Sequence, residues 1–202
     1  MRTTRIAVLV SGGGTNLQAL IDAQTSGIIK SGKIELVLSN KADAFALSRA
    51  KNAGIKTSVV LRKDCVDKSD FEDKILAVLQ QEKIDMIVLA GFMCILSEKF
   101  VKAYPNKIIN VHPSLIPSFC GEGFYGLRVH QSALEYGVKI TGATVHYVNE
   151  IADGGKIILQ SPVPVLEGDT PEILQKRVME QAEWIILPKA TEIVASKIQK
   201  EI

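Results

Sequence analysis

An α/β fold is predicted, built on a mostly parallel sheet with helices on both faces. Short apolar runs alternate with helix-period segments through the first two thirds of the 202 residues. The stretch 85–90 is apolar almost throughout, as expected of a strand covered on both sides. After His112 the pattern changes to two β-rich segments and one long helical segment, adding a C-terminal antiparallel hairpin and a long closing helix.

The elements follow in order. Residues 5–10 read as a first strand, then a Gly-rich turn, then a helix from 16 to about 29. Residues 34–39 form a second strand, and 42–53 a helix closed by Gly54, which supplies the positive φ after the last turn. Residues 57–61 form a third strand. A helix spans 69–82, with Phe71, Ile75, Val78 and Leu79 on its apolar face, and Ser69 with Glu72 fits a capping box. The fourth strand is 85–90, a short helix 97–104 ends before Pro105, and 107–111 is the fifth strand. A loop from 113 to 126 leads to a helix over 129–136. Strands 140–148 and 157–165 pair as a hairpin. Residues 171–200 form the last helix, with a break expected at Pro188.

The chain is 47% hydrophobic and 23% charged, which excludes extended disorder. Its length predicts one domain, 1–202, with halves at about 1–105 and 106–202. Twenty-four Lys and Arg against 22 Asp and Glu leave +2, so no basic field speaks for nucleic acid or a membrane surface. No apolar run approaches the roughly 18–20 residues of a membrane helix. The apolar run 6–10 is too short for a signal-peptide core. Cys65, Cys94 and Cys120 are odd in number and widely spaced, so neither a disulfide framework nor a metal site is expected, and the setting expected is cytoplasmic.

Three motifs carry chemistry. Gly12-Gly13-Gly14-Thr15-Asn16 lies between the first strand and first helix, where free N–H groups and the helix dipole favour an anion. It lacks the Lys of a P-loop, and Leu17 stands where a dinucleotide fingerprint needs its third glycine. A phosphorylated small molecule is favoured; the other reading is a tight turn capped by Asn16. Asn110 and His112 share one face of the fifth strand at its carboxyl end, suited to an oxyanion and a mobile proton, or to closing a loop. Asp153-Gly154-Gly155 reads as an ordinary turn, unless it folds against that strand so that Asp153 pairs with His112, raises its pKa and favours imidazolium. His130 and His146 read as structural.

Taken together, these motifs resemble the phosphoribosylglycinamide formyltransferases. The resemblance rests on Val10–Leu17, Ser39-Asn40-Lys41, Leu89-Ala90-Gly91-Phe92-Met93, Asn110-Val111-His112-Pro113-Ser114-Leu115, Gly142-Ala143-Thr144-Val145-His146 and Asp153-Gly154-Gly155, in family order along nearly the whole chain. It implies a Rossmann-like formyltransferase fold and transfer of a formyl group from 10-formyltetrahydrofolate, the co-substrate, to the amine of phosphoribosylglycinamide, without a metal. It implies catalysis by Asn110, His112 and Asp153, phosphate binding by Gly13, Gly14, Thr15 and Asn16, and ribose binding by Glu183. Met93, Cys94, Ile95, Leu96, Asn110, Ala152 and Asp153 would line the folate site. The partners implied are small molecules, with a weak homodimer the further expectation.

The sequence departs from the family at Cys94, where many members carry an arginine beside the folate, and at Trp184, where a histidine is more usual. The segment 119–127 is longer than in some relatives. Related hydrolases of the same folate carry an extra N-terminal domain, and methionyl-tRNA formyltransferases a C-terminal tRNA-binding one; both are ranked below. A phosphometabolite-binding module would need the glycine loop but not the Asn110, His112 and Asp153 set.

Overall fold

The computed structural model describes residues 2–202. Seven strands form one sheet in the order β3-β2-β1-β4-β5-β6-β7. They are β1 Thr4–Val10, β2 Gly32–Ser39, β3 Lys56–Val59, β4 Met86–Leu89, β5 Ile108–His112, β6 Ile140–Tyr147 and β7 Ile157–Pro164. The first five are mutually parallel; β6 is antiparallel to β5, and β7 to β6. The edge strand β7 carries Pro162 and Pro164. Helices α1 Thr15–Thr25, α2 Phe45–Asn52, α3 Lys68–Gln81, α4 Glu98–Ala103, α5 Leu127–Tyr136, α6 Pro171–Val178 and α7 Trp184–Gln199 complete the fold.

Strand periodicity divides the core in two. Ile6, Val8 and Val10 point to one face and pack with Leu17 and Leu20 of α1, Ala46 of α2 and Leu187 and Val194 of α7. Ala7 and Leu9 point to the other and pack with Phe71, Ile75 and Leu79 of α3 and Phe100 of α4. Strand order reverses between β1 and β4, because the chain runs outward through β2 and β3 and then returns to the far side of β1. Such a switch opens a crevice beyond the carboxyl ends of the strands. Across it the Met93 N–H donates to Ser11 Oγ at 2.9 Å.

Three expectations are corrected. Helix α1 stops at Thr25, where Ser26 and Gly27 turn the chain, rather than near residue 29. Helix α3 is capped by Asp67, whose side chain accepts from the Asp70 N–H at 2.8 Å, so the capping box at Ser69 does not form. Its Glu72 is instead buried and accepts from both the N–H and the hydroxyl of Ser97, the N-cap of α4. Pro188 lies inside α7, and the irregularity falls upstream, in a π-helical turn at Met179–Glu183.

Candidate active site

The carboxyl end of β5 builds the first part of the site. Asn110 and His112 face the same side, as their spacing predicts. Antiparallel pairing sets Asn110 directly opposite His146 of β6. The His146 Nδ1–H donates to its neighbour, the Tyr147 carbonyl, at 2.8 Å. In the neutral form of the ring this leaves Nε2 as an acceptor, and Asn110 Nδ2 donates to it at 3.2 Å. One amide hydrogen of Asn110 remains for a ligand.

The turn between β6 and β7 carries Asp153 into the same place. Its oxygens lie 3.4 Å from His112 Nδ1 and 3.5 Å from His146 Nε2, and one accepts the Gly121 N–H at 2.9 Å. Asp153 itself has a φ of 55°, uncommon for a side-chain-bearing residue, so the turn is held in a left-handed form that aims the carboxylate inward. Gly155 permits this, since a Cβ there would sit 1.7 Å from the Tyr147 carbonyl oxygen. Burial pushes the Asp153 carboxyl up, but His146, His112 and Gly121 together outweigh it and hold it below the usual carboxylate range.

His112 behaves differently from the sequence expectation. Its ring is 4% exposed, and its Nε2–H donates to the Phe119 carbonyl at 2.9 Å. Burial lowers its pKa and prevails over Asp153 and Phe119, which raise it. The carboxylate neighbour therefore raises the His112 pKa by less than burial lowers it. His146, read as structural from the sequence, joins the cluster and links Asn110 to Asp153. The signal that could have found it is register: pairing residue 110 with 146 follows from aligning the apolar faces of two adjacent antiparallel strands.

The loop after β5 is ordered by polar contacts. Thr144 Oγ1 donates to the Ser114 carbonyl at 2.6 Å and accepts from the Ile116 N–H at 3.1 Å. The Phe119 ring meets Phe124 and Tyr136 edge-on. His130, in the first turn of α5, is buried near His112 with neither nitrogen partnered, and burial, together with His112 when that ring is protonated, pushes its pKa down to about 4.

The glycine loop lies at the same edge of the sheet, at the start of α1. Among the described residues, nothing accepts from the N–H groups of Gly13, Gly14, Thr15 or Asn16. Gly14 has a φ of 73°, and a Cβ on it would fall 2.6 Å from the Ala46 Cβ. Glu183 ends the π-helical turn and is buried against this loop, where Asn16 Nδ2 donates to it at 2.6 Å. Burial raises its carboxyl pKa against the pull of that bond. A π turn shifts the helical register by one residue, which is how this acidic side chain points inward.

Of the segment 93–96, Met93 and Ile95 are half exposed and Cys94 is partly buried. Asn40 Nδ2 approaches the Cys94 sulfur at 3.3 Å, and burial pushes that thiol up. Leu96 is 4% exposed and packs into the core beside α3 and α4. Its side chain packs inward, which leaves its backbone as the part nearest the crevice. Ala152 is partly exposed beside Asp153.

Comparison with known proteins agrees with this architecture. The sequence pattern of the formyl transferase family matches residues 4–191. The chain is 48% identical over 184 residues to a phosphoribosylglycinamide formyltransferase of Haemophilus influenzae, covering 91% of this chain and 84% of that protein. It is 47% identical over 195 residues to a human trifunctional purine biosynthetic protein, covering 96% of this chain but only 19% of that relative's length. Among solved structures, a phosphoribosylglycinamide formyltransferase of Brucella melitensis superposes with a TM-score of 0.88 at 44% identity, over 96% of this chain and 97% of that one. A glycinamide ribonucleotide transformylase of Symbiobacterium toebii gives 0.90 at 41% identity, over 96% and 89%. With the family pattern spanning nearly its whole length, the chain belongs to the formyl transferase family.

Proposed function

We propose that this chain transfers the formyl group of 10-formyltetrahydrofolate to the amine of 5-phosphoribosylglycinamide, giving formylglycinamide ribonucleotide and tetrahydrofolate in purine biosynthesis. The observation that carries the reading is the convergence of Asn110, His112, His146 and Asp153 at the carboxyl end of the sheet. Names of close relatives support the reaction and its acceptor.

The residues divide the work. Attack of the neutral amine on the formyl carbon forms a C–N bond and leaves an oxyanion. The Asn110 amide hydrogen not engaged by His146 donates to that oxygen as charge develops. In its neutral form, with Nε2–H on the Phe119 carbonyl, His112 takes the proton released by the attacking nitrogen at Nδ1. Asp153 and the oxyanion then stabilise the imidazolium, offsetting the burial that disfavours it. As the second C–N bond breaks, its electron pair goes to the folate nitrogen, which receives the proton from His112. Asp153 stays ionised and holds the ring in place once His112 Nδ1 is protonated, 3.4 Å from its carboxylate.

Substrate binding surrounds this centre. The N–H groups of Gly13, Gly14, Thr15 and Asn16 take the phosphate of the acceptor, and Glu183 the ribose hydroxyls. Met93 and Ile95, both more than half exposed, and the turn around Ala152 offer apolar surface to a flat folate ring. The backbone of 94–96, rather than the Leu96 side chain, supplies hydrogen bonds there. Both reactants enter as small molecules, in keeping with a cytoplasmic enzyme.

The test is to follow tetrahydrofolate release from 10-formyltetrahydrofolate with and without phosphoribosylglycinamide. Release that depends on the acceptor is expected. Equal release without it would replace transfer by hydrolysis, and no release in either mixture would overturn the proposal.

A further inference from the structure

Helix α2 has no part in the chemistry above, yet it reaches into the glycine loop from behind. The Ala46 N–H donates to the Gly12 carbonyl at 3.0 Å. One turn on, Arg49 Nε donates to the Gly13 carbonyl at 2.9 Å. Its Nη1 donates to Gln18 Oε1 of α1 at 3.1 Å. The guanidinium also lies 5.1 Å from the centre of the Phe45 ring, whose side chain is otherwise 60% exposed. A partly exposed arginine is thus held by contacts on three sides.

Peptide geometry gives these contacts a consequence. In a planar trans peptide the carbonyl and the following N–H point in opposite directions. A Gly12 carbonyl held by Ala46 turns the Gly13 N–H away from α2. A Gly13 carbonyl held by Arg49 turns the Gly14 N–H away likewise. Both glycines have open space where a Cβ would stand at 12 and 13, so nothing in the loop's own side chains fixes those planes. The next carbonyl, of Gly14, accepts the Gln18 N–H within the start of α1. Successive N–H groups are therefore set toward one side by restraints on the opposite side.

We infer that Arg49 is a positioning residue for acceptor binding: it braces the Gly13–Gly14 peptide from α2, so that the loop's N–H groups are pre-aimed at the substrate phosphate. This rests on the reading of the loop as the phosphate cradle. Arg49 acts through the carbonyl it holds, because two of its nitrogens are spent on Gly13 and Gln18. Pre-organisation of this kind appears in binding and leaves the bond-making groups alone.

The experiment compares Arg49→Met and Arg49→Lys with the parent enzyme, using phosphoribosylglycinamide and its dephosphorylated counterpart as acceptors and inorganic phosphate as competitor. Methionine keeps an apolar stem against Phe45 and removes every donor; lysine keeps the charge but not the planar fork. Both variants are expected to raise KM for the phosphorylated acceptor about tenfold, with kcat within about twofold. Inhibition by inorganic phosphate weakens by the same factor, while KM for the folate and kcat/KM for the dephosphorylated acceptor stay at parent values. A normal KM in Arg49→Lys overturns the inference, since charge alone would then suffice. An equal loss with both acceptors overturns it too, as a general structural defect. Failure of the underlying reading shows separately, in the parent enzyme: equal use of both acceptors there removes the phosphate cradle, and the brace with it.

Discussion

Replacing His130 by leucine tests how one buried, unpartnered imidazole sets the acid tolerance of this fold. The ring is fully buried, both nitrogens lack partners, and its pKa is pushed down to about 4 by burial and by His112. In the unfolded chain it titrates near 6.5. Below that pH the unfolded chain binds a proton that the folded one refuses, so stability falls as pH falls, down to about 4. At about 1.4 kcal/mol per pH unit, the full window is worth about 3 kcal/mol. The raised carboxyl of Glu183 acts in the opposite sense, because protonation there favours the folded state. It is present in both proteins and cancels in the comparison. Urea unfolding of parent and His130→Leu, from pH 7.5 to 4.5, reads the difference. Near pH 7.5 the two should agree within about 1 kcal/mol, since leucine nearly matches the volume and removes two unpartnered polar atoms. By pH 4.5 the leucine protein should be ahead by about 2–3 kcal/mol. Parallel stability curves across that range would refute the argument.

Other substitutions probe the site and core. Asn110→Ala, His112→Ala and Asp153→Ala should each lower kcat by about 100-fold or more while leaving the thermal midpoint within a few degrees; near-normal turnover in all three would sink the proposed roles. Gly14→Ala places a Cβ 2.6 Å from that of Ala46 at a φ of 73°. It should cost about 2–4 kcal/mol in denaturant titration and weaken acceptor binding, and an unchanged midpoint would contradict the close approach of α2. Phe100→Ala removes a fully buried ring between α4 and the sheet, with an expected loss of about 3–5 kcal/mol by the same titration.

The parallel half was legible because strand and helix periods differ and the inner strands β1 and β4 are buried on both faces. Asn110 and His112 could be paired from strand geometry alone. What escaped was information held between elements. His146 enters the site through the β5–β6 register, which no local pattern around residue 146 contains. Glu72 has capping-box spacing after Ser69, but tertiary packing gave its carboxylate to Ser97 and left the cap to Asp67. Pro188 suggested a break, yet the helix takes its irregularity at the π turn, where Glu183 reaches the Asn16 amide. Leu96 belongs to a motif segment, but its apolar side chain is claimed by the core. The balance at His112 was equally invisible, since it depends on how completely the loop at Phe119 covers the ring.

The prolines of β7 bear on behaviour at high concentration. The Val165 N–H donates inward, to the Lys139 carbonyl at 3.0 Å, so the odd-numbered residues at this end of the strand direct their donors toward β6. Pro162 and Pro164 occupy the outward-facing positions, where a free N–H would otherwise invite another strand. That border of the sheet is thereby poor in donors and resists edge-to-edge growth, the first step toward fibrous aggregates. The opposite border, β3, is only four residues long. Self-association of this chain, if it occurs in concentrated solution, is steered toward side-chain surfaces rather than continuation of the sheet.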